Sequence, residues 1–527
     1  MSDELFTPVR EDFVVANKQE HQPKAKVKEK NSSSKKNLFI SFIKNPSTIV
    51  GLALLFLTIL IGVIPPLASS RNVSYNDGIY VCVLPKIDAF EGSGFWDGTY
   101  KTRVNEKRYY SLLSIGAGEL DKDGLSFDQS KYKSAKTNPI KKVVSTYHNE
   151  GKKYRELRLD SYYEVGFHYD FVNLEKYQKI VEYETKSGLK VLYPMIDTRS
   201  DYAEDENNAN LYYFSKGLYP CNKDGEYVEY ESGNIVTSPK DNYLRIYPNY
   251  LLDNDDNPVF YVKTGNTYKI RVLYYNYYQF EQWLIHGGKQ YRYSPSCLLG
   301  SDAQGYDILL RISSGIRLSL LLALAVFSIN FIIGTIYGII EGYYGGKADF
   351  ILFHLAEILR AIPLFIIATI FATHFINKGV MSTFIGLLFA FCLTGWISIA
   401  SQTRRQIYRF KNRDFVFASR QLGANDFHIV FKHIYPHAIS SLITSLILFI
   451  PGVIFNETAL SYLGVVNFNG EKYTSLGTMI ANGQEYLSNY THILFFPALV
   501  ICIIMIAFNL IGNGLRESFD RKSWTRK

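Results

Sequence analysis

Residues 316–340 read IRLSLLLALAVFSINFIIGTIYGII, an apolar run in which Arg317 is the only charge. About 20 such residues in a helix cross the hydrocarbon core of a bilayer. A helix on the surface of a soluble protein keeps a polar face, and this stretch has none. It reads as a membrane span. Five other stretches share its character: 46–70, with no charged residue; 350–374; 380–400; 438–463, where Glu457 is the only charge; and 492–515. The first starts too far into the chain, behind the wrong kind of segment, for a cleaved signal peptide. The expectation is a membrane α-helical protein with six transmembrane helices.

Lysine and arginine flanking a span stay on the cytoplasmic side. The tail 1–45 carries Lys24, Lys26, Lys28, Lys30, Lys35 and Lys36, among others. The connection 404–437 carries Arg404, Arg405, Arg409, Lys411, Arg413, Arg420 and Lys432, and the end 516–527 adds Arg516, Arg521, Lys522, Arg526 and Lys527. The opposite connections are poor in such residues: 377–382 has only Lys378 and 464–490 only Lys472. Both termini are therefore expected on the cytoplasmic side of a multi-pass membrane protein. The tail is polar and rich in Lys, Glu and Ser, the composition of a disordered segment.

Composition narrows the classes further. The 527 residues hold 57 Lys+Arg against 49 Asp+Glu, a net charge of +8 too scattered for a nucleic-acid binder. Five cysteines without a C-x-x-C pair exclude a disulfide scaffold.

Between the first two spans, residues 71–295 make one or two extracytoplasmic folded units. Short β-branched and aromatic runs, such as 78–83 and 268–274, alternate with turn signals at Thr264-Gly-Asn266, Asn149-Glu-Gly151 and Ser187-Gly188. The region is expected to be β-rich with a few short helices. Its many tyrosines suit either sheet packing or a recognition surface. Cys82, Cys221 and Cys297 allow one bridge or three free thiols. G-x-S-x-G and H-E-x-x-H are absent, so no catalytic residue is nominated.

The connection after the fourth span reads Asp414-Phe-Val-Phe-Ala-Ser-Arg-Gln-Leu-Gly423-Ala-Asn-Asp-Phe-His-Ile-Val-Phe-Lys-His433-Ile-Tyr-Pro436. This is two short helical stretches broken at Gly423, a residue free to take φ > 0. Pro436 then opens the next span, where a missing N–H is harmless. A basic, amphipathic loop of this length invites a cytoplasmic protein partner.

Here the sequence resembles the permease subunits of bacterial ABC importers, whose coupling loop carries E-A-A-x-x-x-G followed by H-x-x-P. Ala418, Gly423, His433 and Pro436 match, Ser419 replaces Ala and Phe417 stands in place of Glu. Four further stretches resemble the oligopeptide/dipeptide C-type permeases, in family order. Gly300-Ser-Asp-x-x-Gly-Tyr-Asp307 is similar to G-T-D-x-x-G-R-D, with Tyr306 for Arg, and Glu341-Gly-Tyr-Tyr-Gly-Gly346 to A-G-Y-F-G-G. Thr458-Ala-Leu-Ser-Tyr-Leu-Gly464 is similar to A-A-L-S-F-L-G, and Phe508-Asn-Leu-Ile-Gly512 with Gly514-Leu-Arg516 to the terminal F-N-L-L-G-D-G-L-R. Ser475-Leu-Gly477 and residues 73–80 look closer to the Yej-type branch. The insertion 71–295 is longer than the family usually carries.

The resemblance implies a type-1 ABC importer permease domain over 296–515, with an ATPase-coupling loop that includes Phe417, Ala418, Ser419, Gly423, Ala424, His433 and Pro436. It also implies a second permease subunit, two ABC ATPase subunits, an extracytoplasmic peptide-binding protein and a peptide substrate. No G-x-x-x-x-G-K-[ST] occurs, so the chain itself is expected to bind no cofactor, ATP and Mg²⁺ being used by the ATPase partners.

Ionisable groups inside spans are functional candidates by default. Glu357 and Arg360, three apart on one helix, read first as a self-neutralising pair and second as part of a gate, and Pro363 in the same span is expected to kink it. Glu457, beside Asn456, lacks a nearby cation and either lines the translocation path or is a buried, hydrogen-bonded carboxylate. His428, His433 and His437 lack the companions of a metal set. Two rival readings have different tests. A membrane-anchored sensor or adhesin would use the spans as an anchor only, and a secondary transporter would need an ion-coupling element. Co-purification with an ATPase separates both from an importer.

Overall fold

A computed structural model describes residues 40–125, 129–149, 152–199, 207–214, 245–375, 379–468 and 470–524. Most of the basic tail, Cys221 and the turn residues 150–151 lie outside the described residues.

Four helices are long and apolar enough to cross a membrane: α1 (Pro46–Ala68), α5 (Ile308–Tyr344), α8 (Val380–Lys411) and α13 (Thr491–Trp524). They cover the expected spans 46–70, 316–340, 380–400 and 492–515. The expected span 350–374 is instead α6 (Gly346–Arg360) and α7 (Leu364–Phe375), bent by 66°. Pro363 explains the break: it has no N–H to continue the ladder and biases the preceding residue away from the helix. The expected span 438–463 is likewise divided, into α10 (Tyr435–Leu446) and α11 (Phe449–Tyr462), with Pro451 depriving the Ile447 carbonyl of its helical donor. Counting the bent pair as one span gives five such crossings among the described residues.

Small residues bring the helices together. Gly334, Gly338 and Gly342 form one stripe of α5 pressed on α8. A Cβ at Gly334 would stand 2.6 Å from the Trp396 carbonyl oxygen, one at Gly338 2.7 Å from the Thr403 Cβ, and one at Gly342 2.9 Å from the Ile407 Cβ. Such stripes let backbones approach where lipid offers no hydrophobic drive. α1 crosses obliquely: Gly51 packs on Ala507 and Ile511 of α13, whereas Gly62 meets Ile316 of α5. The membrane core gathers Ile316, Val326, Phe391, Ile454 and Ile504.

The region between α1 and α5 mixes strands and helices. β1 (Thr99–Asn105), β2 (Ile140–Asn149) and β3 (Lys152–Asp160) form an antiparallel sheet in the order β1-β3-β2. A second sheet orders β4 (Phe167–Val172), β9 (Thr267–Leu273) and β5 (Leu192–Tyr193), with β8 (Tyr261–Thr264) also on β9; β6 (Tyr212–Phe214) pairs β7 (Arg245–Tyr247). The helices α2 (Glu106–Leu120), α3 (Leu174–Ser187) and α4 (Tyr274–Ile285) are longer than a β-rich reading anticipates. Asn105 and Asn173 cap α2 and α3 by accepting the N–H groups of Arg108 and Lys176, each at 2.8 Å.

Two local expectations change. Gly188 ends α3 in the left-handed conformation, φ 69°, so Ser187-Gly188 is a helix stop and not a hairpin tip. Residues 78–83 form no strand. They run along 300–307 instead, with the Cys82 N–H on the Asp302 carbonyl and the Ser301 N–H on that of Val83, both at 3.0 Å. Thr264-Gly265-Asn266 is the β8–β9 turn as expected. Many tyrosines are core: Tyr80, Tyr162, Tyr183, Tyr274, Tyr277 and Tyr278 are buried with Phe280 and Trp283. Cys82 and Cys297 are both free and buried. The Cys297 sulfur takes a hydrogen bond from Arg71 at 2.8 Å, and burial pushes its thiol up to about 12.

Candidate functional site

The loop that follows α8 is built on a buried apolar base. Val416 of helix α9 (Asp414–Gln421) and Ile429, Val430 and Ile434 are buried against Ile339, Tyr343 and Ile407 of α5 and α8. α9 ends in a Schellman turn: the Ala424 N–H bonds the Ser419 carbonyl at 3.1 Å and the Gly423 N–H that of Arg420 at 3.0 Å. Gly423 has φ +80° with nothing within 4 Å of a Cβ, so its backbone and not its surroundings demands glycine. Asn425 then caps the turn Asp426–His428, which runs into a π-helical segment, Ile429–Ile434, and into α10, with Pro436 in its first turn. This is the arrangement expected from Gly423 and Pro436.

The loop's outward side presents large apolar side chains among polar ones. Leu422 is 88% exposed, Phe427 71% and Phe417 50%, and the Phe427 ring stacks near Phe431 at 4.5 Å. Ala418 and Ser419 lie on the helix between them, and the Ser419 hydroxyl bonds back to the Phe415 carbonyl at 2.8 Å. His433 faces His428 at 5.5 Å and His437 packs on the Phe410 and Phe415 rings. Among the described residues no His, Cys, Asp or Glu cluster could hold a metal ion.

Polar contacts that the sequence reading did not nominate fasten this loop to the helices. The Tyr343 hydroxyl donates to Asp426 at 2.5 Å and accepts from Arg420 at 3.3 Å. Next to it, Arg404 of α8 grips Asp349 of α6 with two bonds, 2.6 and 2.7 Å, and lies 3.5 Å from Glu341 of α5, joining the helices that carry the loop. The Glu341-Gly-Tyr-Tyr-Gly-Gly346 motif supplies Glu341 and Tyr343, which is the signal that could have found them.

The ionisable residues within the spans separate. Glu357 and Arg360 pair at 2.5 Å, and Arg360 also donates to Ser401 at 2.7 Å, the self-neutralised arrangement. Asn456 is exposed and Glu457 is not: Glu457 is 1% exposed and accepts hydroxyls from Ser475 at 2.6 Å, Ser461 at 3.1 Å and Ser319 at 3.4 Å. Those serines come from α11, from α5 and from the N-cap of α12 (Leu476–Gly483), so one carboxylate ties three elements.

At the other end of α5, Asp307 caps the helix through the Leu309 N–H at 2.9 Å and pairs with Arg71 at 3.2 Å. Asp302 accepts the N–H groups of Gln304 and Tyr306, each at 2.9 Å, in a turn bounded by Gly300 and Gly305, both at φ +81°. The Arg311 guanidinium lies over the Tyr306 ring at 4.2 Å.

Residues 333–525 match the family model described as "Binding-protein-dependent transport system inner membrane component". The chain is 38% identical over 223 residues to the oligopeptide transport system permease protein OppC of Bacillus subtilis, covering 42% of this chain and 71% of that protein. It is 34% identical, over 42% of this chain and 68% of the relative, to the dipeptide transport system permease protein DppC of the same organism. OppC of Haemophilus influenzae is 35% identical over 42% of this chain and 70% of its own length. One solved structure, of the MetNI methionine ABC transporter in inward-facing conformations, overlaps 39% of this chain and 94% of that chain at TM-score 0.32 and 16% identity. With its motifs, its apolar helices and relatives matched over two thirds of their length, this chain belongs to the family of binding-protein-dependent transport system inner membrane components.

Proposed function

We propose that the chain is a permease subunit of an ATP-driven ABC importer for peptides. The observation that carries this reading is the loop 404–437: a buried base presenting Phe417, Leu422 and Phe427 to a partner. Exposed apolar patches of this kind, rimmed by Arg413, Arg420 and Lys432, mark protein interfaces. The peptide substrate is inferred from the names of the relatives, and the membrane-anchored sensor is not favoured, because the relatives are transport permeases and the family model matches the helical residues 333–525.

In this reading an ATPase subunit seats the loop, with Phe417 supplying an apolar contact at the position where the family pattern has Glu. Ala418, Ser419, Gly423, Ala424, His433 and Pro436 hold the loop's shape. The Tyr343–Asp426 contact fixes the loop to α5 and the Arg404–Asp349 contact ties α8 to α6, so movement of the ATPases on ATP is passed to those helices. The assembly holds a second permease subunit, two ABC ATPases and an extracytoplasmic peptide-binding protein. ATP and Mg²⁺ belong to the ATPases. The tail 1–45, the loop 404–437 and residues 516–527 lie in the cytoplasm, with 71–295 outside. Affinity purification of the chain from membranes is expected to recover ABC ATPase subunits, and Leu422→Asp with Phe427→Asp to lose them while the chain stays in the membrane. Recovery of no ATPase with the unaltered chain overturns the reading.

A further inference from the structure

A short loop of the insertion is held in a strained, closely specified shape beside a membrane helix. Gly92 and Gly94 have φ +81° and +92°, and Trp96 sits at φ +52°, rare for a bulky residue. The Asp97 carboxylate secures this conformation by accepting from the Gly94 N–H at 2.9 Å, the Thr99 N–H at 3.1 Å, the Thr99 hydroxyl at 2.6 Å and Arg158 at 3.1 Å. The result is a presented aromatic group: Phe95 is 64% exposed, Phe90 43%, and the rings follow one another at 6.4 and 5.1 Å from Phe90 through Phe95 to Trp96. Of the flanking carboxylates, Glu91 pairs with Lys141 at 3.2 Å, Asp97 is engaged as above, and Asp88 accepts the Ser296 hydroxyl.

Two contacts fix its level in the molecule. The Trp96 ring packs on Phe496 in the first turns of α13 at 5.7 Å, and its indole N–H donates to the Leu298 carbonyl. Leu298 follows Cys297, which with Asp307 and the Ser294 carbonyl receives Arg71, three residues beyond the end of α1. That guanidinium cluster marks where α1 leaves the apolar layer. α1 has crossed to α5 at this end, leaving the side of α13 around Phe496 to the Trp96 loop, while neighbouring Phe495 is 56% exposed. The outward side of α1 there is Ile59, Val63, Ile64 and Leu67, all exposed. The aromatic tip thus adjoins the start of α13, a helix long and apolar enough to cross a membrane.

We infer that Phe90, Phe95 and Trp96 form an anchor seated in the interfacial layer of the bilayer, so that the 71–295 domain rests on lipid as well as on the helices. Trp, with its polar N–H, favours that layer, and exposed Phe rings add apolar area that the layer can bury. The inference rests on reading α1 and α13 as bilayer-crossing helices, and not on which side the domain faces.

The test places p-benzoylphenylalanine at Phe95 in the full chain, in its assembled transporter reconstituted into phospholipid vesicles, with the same probe at Ile59 in the middle of α1 as a control. On irradiation, the expected result at both positions is a peptide carrying the mass of a phospholipid, with the adduct at 95 lost when the assembly is held in lipid-free detergent. Lipid adducts at 59 with none at 95 overturn the anchor and leave the span reading intact. Adducts at 95 to a protein subunit overturn it too, since the tip is then covered by protein. No lipid adduct at either position overturns both.

Discussion

At the level of single residues, Gly423 shows what a sequence can state. Its place between two short helical stretches called for a turn conformation, and it occupies the left-handed C′ position of a Schellman turn with open space around it. A Cβ there meets no atom, so the cost is conformational, about 1 kcal/mol. Gly423→Asp is expected to leave the chain in the membrane and to reduce peptide uptake, measured with labelled peptide in intact cells, because the loop's presentation shifts and not its base. Unaltered uptake would count against the coupling role. Glu457 shows the opposite case. Sequence left two readings open, since the three serines that meet it lie 138, 18 and 4 positions away and only the fold assembles them. The geometry supports a lock among α5, α11 and α12. Glu457→Gln preserves an acceptor for Ser461 and Ser475 and offers Ser319 a donor, so its thermal stability in detergent should fall little. Glu457→Ala leaves buried hydroxyls without a partner and opens a cavity, with a loss of roughly 3 kcal/mol. If instead the negative charge itself met the peptide, Gln would abolish uptake while leaving stability intact.

At the level of elements, apolar length placed the helices well and their continuity poorly. Hydropathy integrates over about 20 residues and is blind to where a ladder breaks. Thus 350–374 and 438–463 were each read as one span: the kink expected at Pro363 is there as a 66° bend, whereas Pro451 was in plain view and unread. The coupling loop was legible because its motif is local. The contacts that fasten it and the helices beneath it, Tyr343 to Asp426 and Asp349 to Arg404, are 83 and 55 positions apart and could not be paired by spacing. The insertion was harder still: its tyrosines signalled sheet, yet Tyr274–Ile285 is a helix whose rings fill the core between sheet and neighbours. One element-scale signal was present and unread, the repeat Gly334-x-x-x-Gly338-x-x-x-Gly342. A side chain at Gly338 would enter the backbone of α8, with Thr403 Cβ 2.7 Å from its Cβ. Gly338→Leu is therefore expected to separate α5 from α8, giving a chain that is inserted but loses several kcal/mol of stability. The check is the fraction surviving a heat step in detergent, with the lipid-facing Leu324→Ala as a substitution that should change little.

For the whole molecule the question is what so large an insertion adds to a permease. It is not a loosely tethered appendage, because residues 77–83 are laced to the 300–307 turn and Arg71 is bound to Asp307. Its flank and the loop 488–490 enclose a cleft of about 550 Å³, lined by Cys82, Tyr100, Glu164, Asn489 and Tyr490. In the proposed assembly, a surface shared by the insertion and the connection between α12 and α13 would suit docking of a peptide-binding protein, whereas a passive cap would need no such shared cleft. The fold also dictates how to remove it. The Lys86 N–H bonds the Cys297 carbonyl at 2.9 Å, so the chain can be rejoined between residues 87 and 296 by a short linker while the strap 71–86 stays on the helices. Excision of 71–295 entire would strip Asp307 of Arg71 and confound loss of docking with loss of the helix start. With the strap retained, membrane insertion and ATPase recovery should persist. Uptake in vesicles should fall most at low concentrations of binding protein and recover partly when that protein is in excess, the pattern of a weakened encounter with an intact transport cycle. Uptake equal to that of the intact subunit at every concentration would remove docking from the insertion's roles, and uptake lost equally at every concentration would place the insertion in the transport cycle itself.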